Sequence, residues 1–95
     1  MIPSRKSKPV PVKGKPPFFV YRTYARTEWV PREKKPFVLV YDPVIIYKYE
    51  IFDSTGKRVA YLYASEDDAP ILDGIETQYN VNGVDVIICN AVYIW

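Results

Sequence analysis

Histidine is absent from this chain, and cysteine and methionine occur once each. Without histidine, the commonest general base at neutral pH and the usual imidazole metal ligand are both missing. A lone cysteine, Cys89, forms no internal disulfide, so nothing points to an oxidising compartment and a cytoplasmic location is expected. Leucine is scarce, at Leu39, Leu62 and Leu72 only, against nine tyrosines, a balance that favours sheet over helix. Long apolar runs are missing too. Asn90 interrupts the stretch from Val86 to Trp95, and no run is long enough to span a bilayer, so no membrane partner is expected. The basic start has no apolar run behind it, which predicts no secretory signal. Few thermolabile residues, nine prolines and many charges make the composition thermophile-like.

What is present excludes a disordered chain: 48% of the 95 residues are hydrophobic and 16% aromatic, enough for one small core. The net charge of +2 conceals an asymmetry. Residues 1–17 hold Arg5, Lys6, Lys8, Lys13 and Lys15 with no acid, whereas the remainder holds eight basic and eleven acidic residues. The first segment also carries five prolines between residues 3 and 17 and only isolated valines, so it is expected to be a flexible basic arm, with residues 18–95 as a single β domain.

Within that domain, Phe18 to about Val30 reads as a strand. Alternation puts Phe19, Tyr21, Thr23, Ala25, Thr27 and Trp29 on one side and Val20, Arg22, Tyr24, Arg26 and Glu28 on the other. Residues 31–36 read as a charged loop between prolines, 37–41 as a covered strand, and Asp42-Pro43 as a bend or bulge. Val44 to Ala64 reads as a hairpin around Ser54-Thr55-Gly56. A three-residue loop with Gly56 left-handed would set Ile51 opposite Val59, Tyr49 opposite Tyr61 and Tyr47 opposite Tyr63, gathering the tyrosines on one core face. Ser65 and Asp68 resemble a capping box, but Pro70 restricts any helix to one short turn near 68–73, ended by Gly74. Asn82-Gly83 signals a second hairpin that pairs Val81 with Val84 and Tyr79 with Val86, followed by a final strand apolar on both faces. The expectation is a mainly β fold: a small antiparallel β-barrel or sandwich of five to six strands, with one helical turn and the arm.

Catalytic chemistry finds little support. Cys89 has no histidine partner and sits mid-strand among apolar neighbours, as a structural cysteine does. Ser54-Thr55-Gly56-Lys57 fails as a phosphate loop, because Ile51 stands where its first glycine belongs and Arg58 follows the lysine. The acids Glu66, Asp67, Asp68, Asp73 and Glu76 lack the spacing of a calcium loop. The expectation is therefore no enzyme, no cofactor and no metal.

Two features point to nucleic acid. Arg5, Lys6, Lys8, Lys13 and Lys15 could neutralise the phosphate backbone of RNA or DNA. Arg22, Tyr24 and Arg26, if on one strand face, could stack a base between two phosphate-seeking guanidinium groups; the same row also fits a solvated face whose arginines pair with Glu28, Glu33 or Glu50. The expected function is a nonenzymatic nucleic-acid-binding module of little base specificity, such as a ribosome- or chromatin-associated protein. The alternative is a structural or interaction protein, a virion component or small adaptor. Its arm would dock on an acidic protein surface, or its terminal strand or edge would join a partner or a second copy.

Overall fold

The computed structural model describes residues 8–95, with 33–35 described by their backbone alone. Among the described residues eight strands and one 3-10 turn follow one another: β1 (Val10–Pro11), β2 (Phe18–Lys35), β3 (Val38–Phe52), β4 (Arg58–Ala64), the turn Glu66–Asp68, β5 (Ile71–Asp73), β6 (Thr77–Val81), β7 (Val84–Cys89) and β8 (Ala91–Ile94). They form two antiparallel sheets, of strand order β1-β8-β5 and β4-β3-β2-β7-β6. Both sheets end in open edges, so no closed barrel forms among the described residues. The strands exceed the five or six expected because short extended segments, β1 and β5, flank β8.

The Asn82-Gly83 hairpin forms as expected, with φ of 51° and 84° and with Val81 opposite Val84. Positive φ at both residues gives the turn the twist that the flanking strands require. Asn90 then ends β7, its N–H donating to the Asp73 carbonyl, and the chain leaves the five-stranded sheet to enter the other. The apolar run expected to be one terminal strand is thus two strands in two sheets. Phe18, Val20, Tyr49, Ile51, Ile87 and Cys89 from the larger sheet and Val92 from the smaller share one buried core, joined by Ala64.

The β3–β4 turn also has the expected three-residue loop: Asp53 N–H donates to the Lys57 carbonyl, and Gly56 has φ +86°. Phe52 accordingly lies opposite Arg58. Directly beyond it, Val59 is an extra residue on β4, and Ile51 pairs with Ala60, Tyr49 with Leu62 and Tyr47 with Ala64. This bulge overturns the expected register of Tyr49 opposite Tyr61, although the turn itself was read correctly. The small residues Ala60 and Ala64 now face the core and the tyrosines of β4 leave it, Tyr61 being 55% exposed and Tyr63 50%, while Tyr49 stays buried at 3%.

Three further expectations are corrected. Residues 31–36 are not a loop, because β2 continues through Pro31 to Lys35 and turns back at Pro36-Phe37. Asp42-Pro43 is no bend, since β3 runs unbroken from Val38. Pro31 and Pro43 are tolerated because β7 pairs with β2 only as far as Arg22 and β4 pairs with β3 only as far as Tyr47, which leaves their N sides without a ladder partner. The helical turn falls at Glu66–Asp68 rather than 68–73, with no side-chain cap from Ser65, because Pro70 and the extended β5 occupy the later residues. The long β2–β3 hairpin projects as a two-stranded ribbon, and the molecule is elongated, 54 × 35 × 19 Å.

Ile51→Ala should destabilise by about 2–5 kcal/mol in a urea titration, whereas Tyr61→Ala should cost about 1 kcal/mol or less. Equal costs would restore the tyrosine-core register. Burial also pushes the Cys89 thiol above its ordinary pKa. A thiol reagent should modify Cys89 only at the rate at which the core opens.

Candidate nucleic-acid interface

Positions in the predicted basic arm separate into two groups. Arg5 and Lys6 lie outside the described residues. Lys8, Lys13 and Lys15 are exposed on a segment that is extended and laid along the domain: Val10 pairs with Ile94, Val12 N–H donates to the Val92 carbonyl, and the Lys15 carbonyl accepts from Ser54 N–H. Gly14 passes close over the β3–β4 turn, where an added Cβ would lie 2.9 Å from Phe18 and 3.0 Å from Asp53. The terminal strand β8 consequently has β1 on one edge and β5 on the other, with no edge left to extend a partner's sheet.

The predicted row of Arg22, Tyr24 and Arg26 does not exist as one surface. A bulge at Ala25 makes Tyr24 pair with Tyr47 and Arg26 with Ile46, so Arg26 turns to the opposite face. Arg22 stays on the inner face, half-buried, with its guanidinium 2.6 Å from Asp85 and 5.0 Å from the centroid of Tyr47. Tyr24 is exposed and shares a 2.7 Å hydrogen bond with Thr27. Arg26 pairs with Glu28 at 2.9 Å, one of the pairings that the solvated-face reading anticipated, and lies 5.8 Å over the Tyr63 ring.

What the sequence reading missed lies on the outer face of the five-stranded sheet. One cross-strand row runs Tyr61, Glu50, Tyr21, Val86, Tyr79 from edge to edge. Four strand spacings carry it across about 19 Å. Tyr21, Tyr61 and Tyr79 are all exposed, and Tyr63 extends the surface along β4. Arg58 lies 4.8 Å over Tyr61 and donates to Glu50 at 3.2 Å; Lys48 Nζ stands 4.0 Å from the same carboxylate. Beside the row an open groove is lined by Phe19, Tyr21, Glu50, Phe52, Asp53, Ser54 and Gly56, with the Lys15 backbone bonded to its rim at Ser54. The signal for this face is the Tyr-x-Tyr repeat at 61 and 63, but assigning it to solvent required knowing that Val59 bulges.

The arrangement offers exposed rings, guanidinium groups beside them and the Glu50 carboxylate between. Among the described residues no cluster of histidine, cysteine, aspartate or glutamate is gathered that could hold a metal ion. Nor is any helix among them long and apolar enough to cross a membrane.

Two carboxylates brace the ends of this sheet. Asn80 Nδ2 donates to Asp85 at 2.8 Å and Arg22 pairs with it, which together hold its pKa below the ordinary aspartate value. Asp53 is lowered likewise, first by the Thr55 hydroxyl and then by the backbone N–H groups of its turn. A carboxylate with a depressed folded pKa stabilises fully above the unfolded value of about 3.9 and loses that contribution as pH falls through the folded one. The stability advantage of the wild type over Asp85→Asn should therefore be present at neutral pH and shrink below about pH 4, as read from urea midpoints across pH.

Comparison with protein-family models, with curated proteins and with solved structures finds no match to this chain.

Proposed function

We propose that this protein is a nonenzymatic nucleic-acid-binding module that takes up single strands on the outer face of its five-stranded sheet. The observation that carries the reading is the exposed tyrosine row, with Arg58 and Arg26 lying over the rings of Tyr61 and Tyr63. Aromatic rings on an open sheet stack bases without regard to sequence, and guanidinium groups beside them reach the phosphates between stacked bases. Glu50 sits in the row as an acceptor for exocyclic amines, with Arg58 and Lys48 offsetting its repulsion of phosphate. Lys8, Lys13 and Lys15, with Arg5 and Lys6, supply sequence-independent attraction to the phosphate backbone.

This reading reassigns the strand residues expected from sequence. Arg22 is committed to Asp85 on the inner face and contributes to folding, while Arg26 joins the tyrosine surface. In anisotropy titrations with single-stranded oligonucleotides, Tyr61→Ala and Tyr21→Ala should each weaken binding by about 1–3 kcal/mol. Replacing Arg5, Lys6, Lys8, Lys13 and Lys15 with Gln should flatten the log-log salt dependence by about 3.5 units, at roughly 0.7 per single-strand phosphate contact. Arg22→Gln should leave the slope unchanged. Absence of binding to any single- or double-stranded RNA or DNA at low salt and micromolar protein would sink the proposal.

A further inference from the structure

The groove beside the tyrosine row differs in chemistry from the row itself. Its lining comes from the outer face of two paired strands, with Phe19 opposite Phe52 and Tyr21 opposite Glu50, and from the turn that begins at Asp53. Its volume is about 540 Å³, within the range of about 300–1,000 Å³ that small-molecule sites occupy. The Tyr21 and Phe52 rings meet edge to face, with centroids 5.4 Å apart, so an entering planar group finds aromatic surface on both strands.

Two carboxylates line the groove, and they are differently engaged. Asp53 is committed to its own turn: Oδ1 accepts from the Thr55 N–H at 2.9 Å, the Thr55 hydroxyl at 2.5 Å and the Lys57 N–H at 3.2 Å. Glu50 keeps acceptor capacity. Its Oε2 accepts from Arg58 Nη1 at 3.2 Å, while Lys48 Nζ stands 4.0 Å from Oε1, near enough to offset charge and too far to donate. A carboxylate has about four acceptor positions, so both oxygens can still take a donor from the groove.

Charge then sorts what can enter. A phosphate inside the groove would face both carboxylates and be repelled. A cation would find Glu50 already matched by Arg58 and Lys48. At the rim the balance reverses, because Lys15 and Lys57 are exposed and their backbones bond to Ser54 and Asp53. The groove therefore suits a neutral, planar group that donates hydrogen bonds, with phosphates kept outside beside the lysines.

We propose that the groove is a base-reading subsite that takes guanine, with the two Glu50 carboxylate oxygens accepting from the N1–H and the N2 amine. The assignment rests on the nucleic-acid reading above, and adds a preference at one position of a surface that otherwise stacks any base. Guanine alone among the common bases sets two donors side by side on its Watson–Crick edge, matching two acceptor oxygens. Adenine and cytosine place an acceptor nitrogen beside their amine, and uracil and thymine flank a single N–H with carbonyls, so each aims an oxygen or nitrogen lone pair at the carboxylate. A wrong base thus leaves a Glu50 oxygen facing an acceptor rather than a donor.

Anisotropy titrations with uracil (RNA) and thymine (DNA) tracts carrying one central guanine, inosine, adenine or cytosine test the assignment on the full chain. A single guanine should tighten binding about tenfold over the unsubstituted tract. Inosine, which lacks only the N2 amine, should lose most of that gain, a comparison that needs no variant and so does not depend on how a variant folds. Glu50→Gln should abolish the guanine preference while changing affinity for the unsubstituted tract by about twofold or less. Tyr61→Ala should weaken every strand alike and leave the guanine preference intact, which separates the subsite from the stacking row. Binding that ignores base identity would overturn the subsite and leave the nucleic-acid reading standing. A guanine preference that survives Glu50→Gln, or one that inosine reproduces in full, would overturn it too. Absence of all binding would overturn both readings together.

Discussion

Side chains on a strand alternate with a period of two, so one unpaired residue exchanges the faces of everything beyond it. Two such residues organise this molecule. Val59 moves Tyr61 and Tyr63 out of the core and brings in Ala60, Leu62 and Ala64. Ala25 leaves Arg22 on the inner face and sends Arg26 to the outer one. The two bulges lie on strands flanking β3, so β3 keeps its own alternation while both neighbours re-aim against it. Both the tyrosine surface and the apolar ribbon face exist in their observed form because of these single insertions.

The energetics favour the observed register over the one that keeps four tyrosines together. The smaller sheet supplies little more than Val92, with Val12, Leu72 and Ile94 packed around it, so the space above Tyr49 and Ile51 is limited. Two more phenol rings would have overfilled it and left hydroxyls without partners. Alanines at 60 and 64 let the sheets approach, and the displaced rings find edge contacts and guanidinium groups in water instead, Tyr61 with Tyr63 at 6.4 Å and Arg58 over Tyr61. Among the described residues no buried side-chain polar atom lacks a hydrogen-bond partner.

The mainly β class, the Asn82-Gly83 hairpin, the Gly56 loop and the buried Cys89 were legible because each rests on local chemistry: turn residues that tolerate positive φ, or an apolar neighbourhood. The bulges were not, since nothing local distinguishes Val59 or Ala25 from their neighbours, and the choice was made by packing across the sheet. Proline misled at residues 31 and 43 for a related reason. It excludes a central strand, and whether a strand is central depends on which partners stop short. Arg22 illustrates the limit for function. Its type and spacing suggested a phosphate contact, and only the register places Asp85 opposite it.

Because β2 and β3 contribute to both sides of the larger sheet, its outer face and the inner side of the ribbon share a backbone without sharing side chains. Tyr21 and Glu50 face outward over the body, whereas Trp29 and Tyr41 belong to the inner side of the ribbon, beyond the point where the smaller sheet ends. Apolar side chains gather on the inner side of the ribbon, and rings with guanidinium groups over them gather on the outer face of the body, so one pair of strands presents two surfaces of different chemistry.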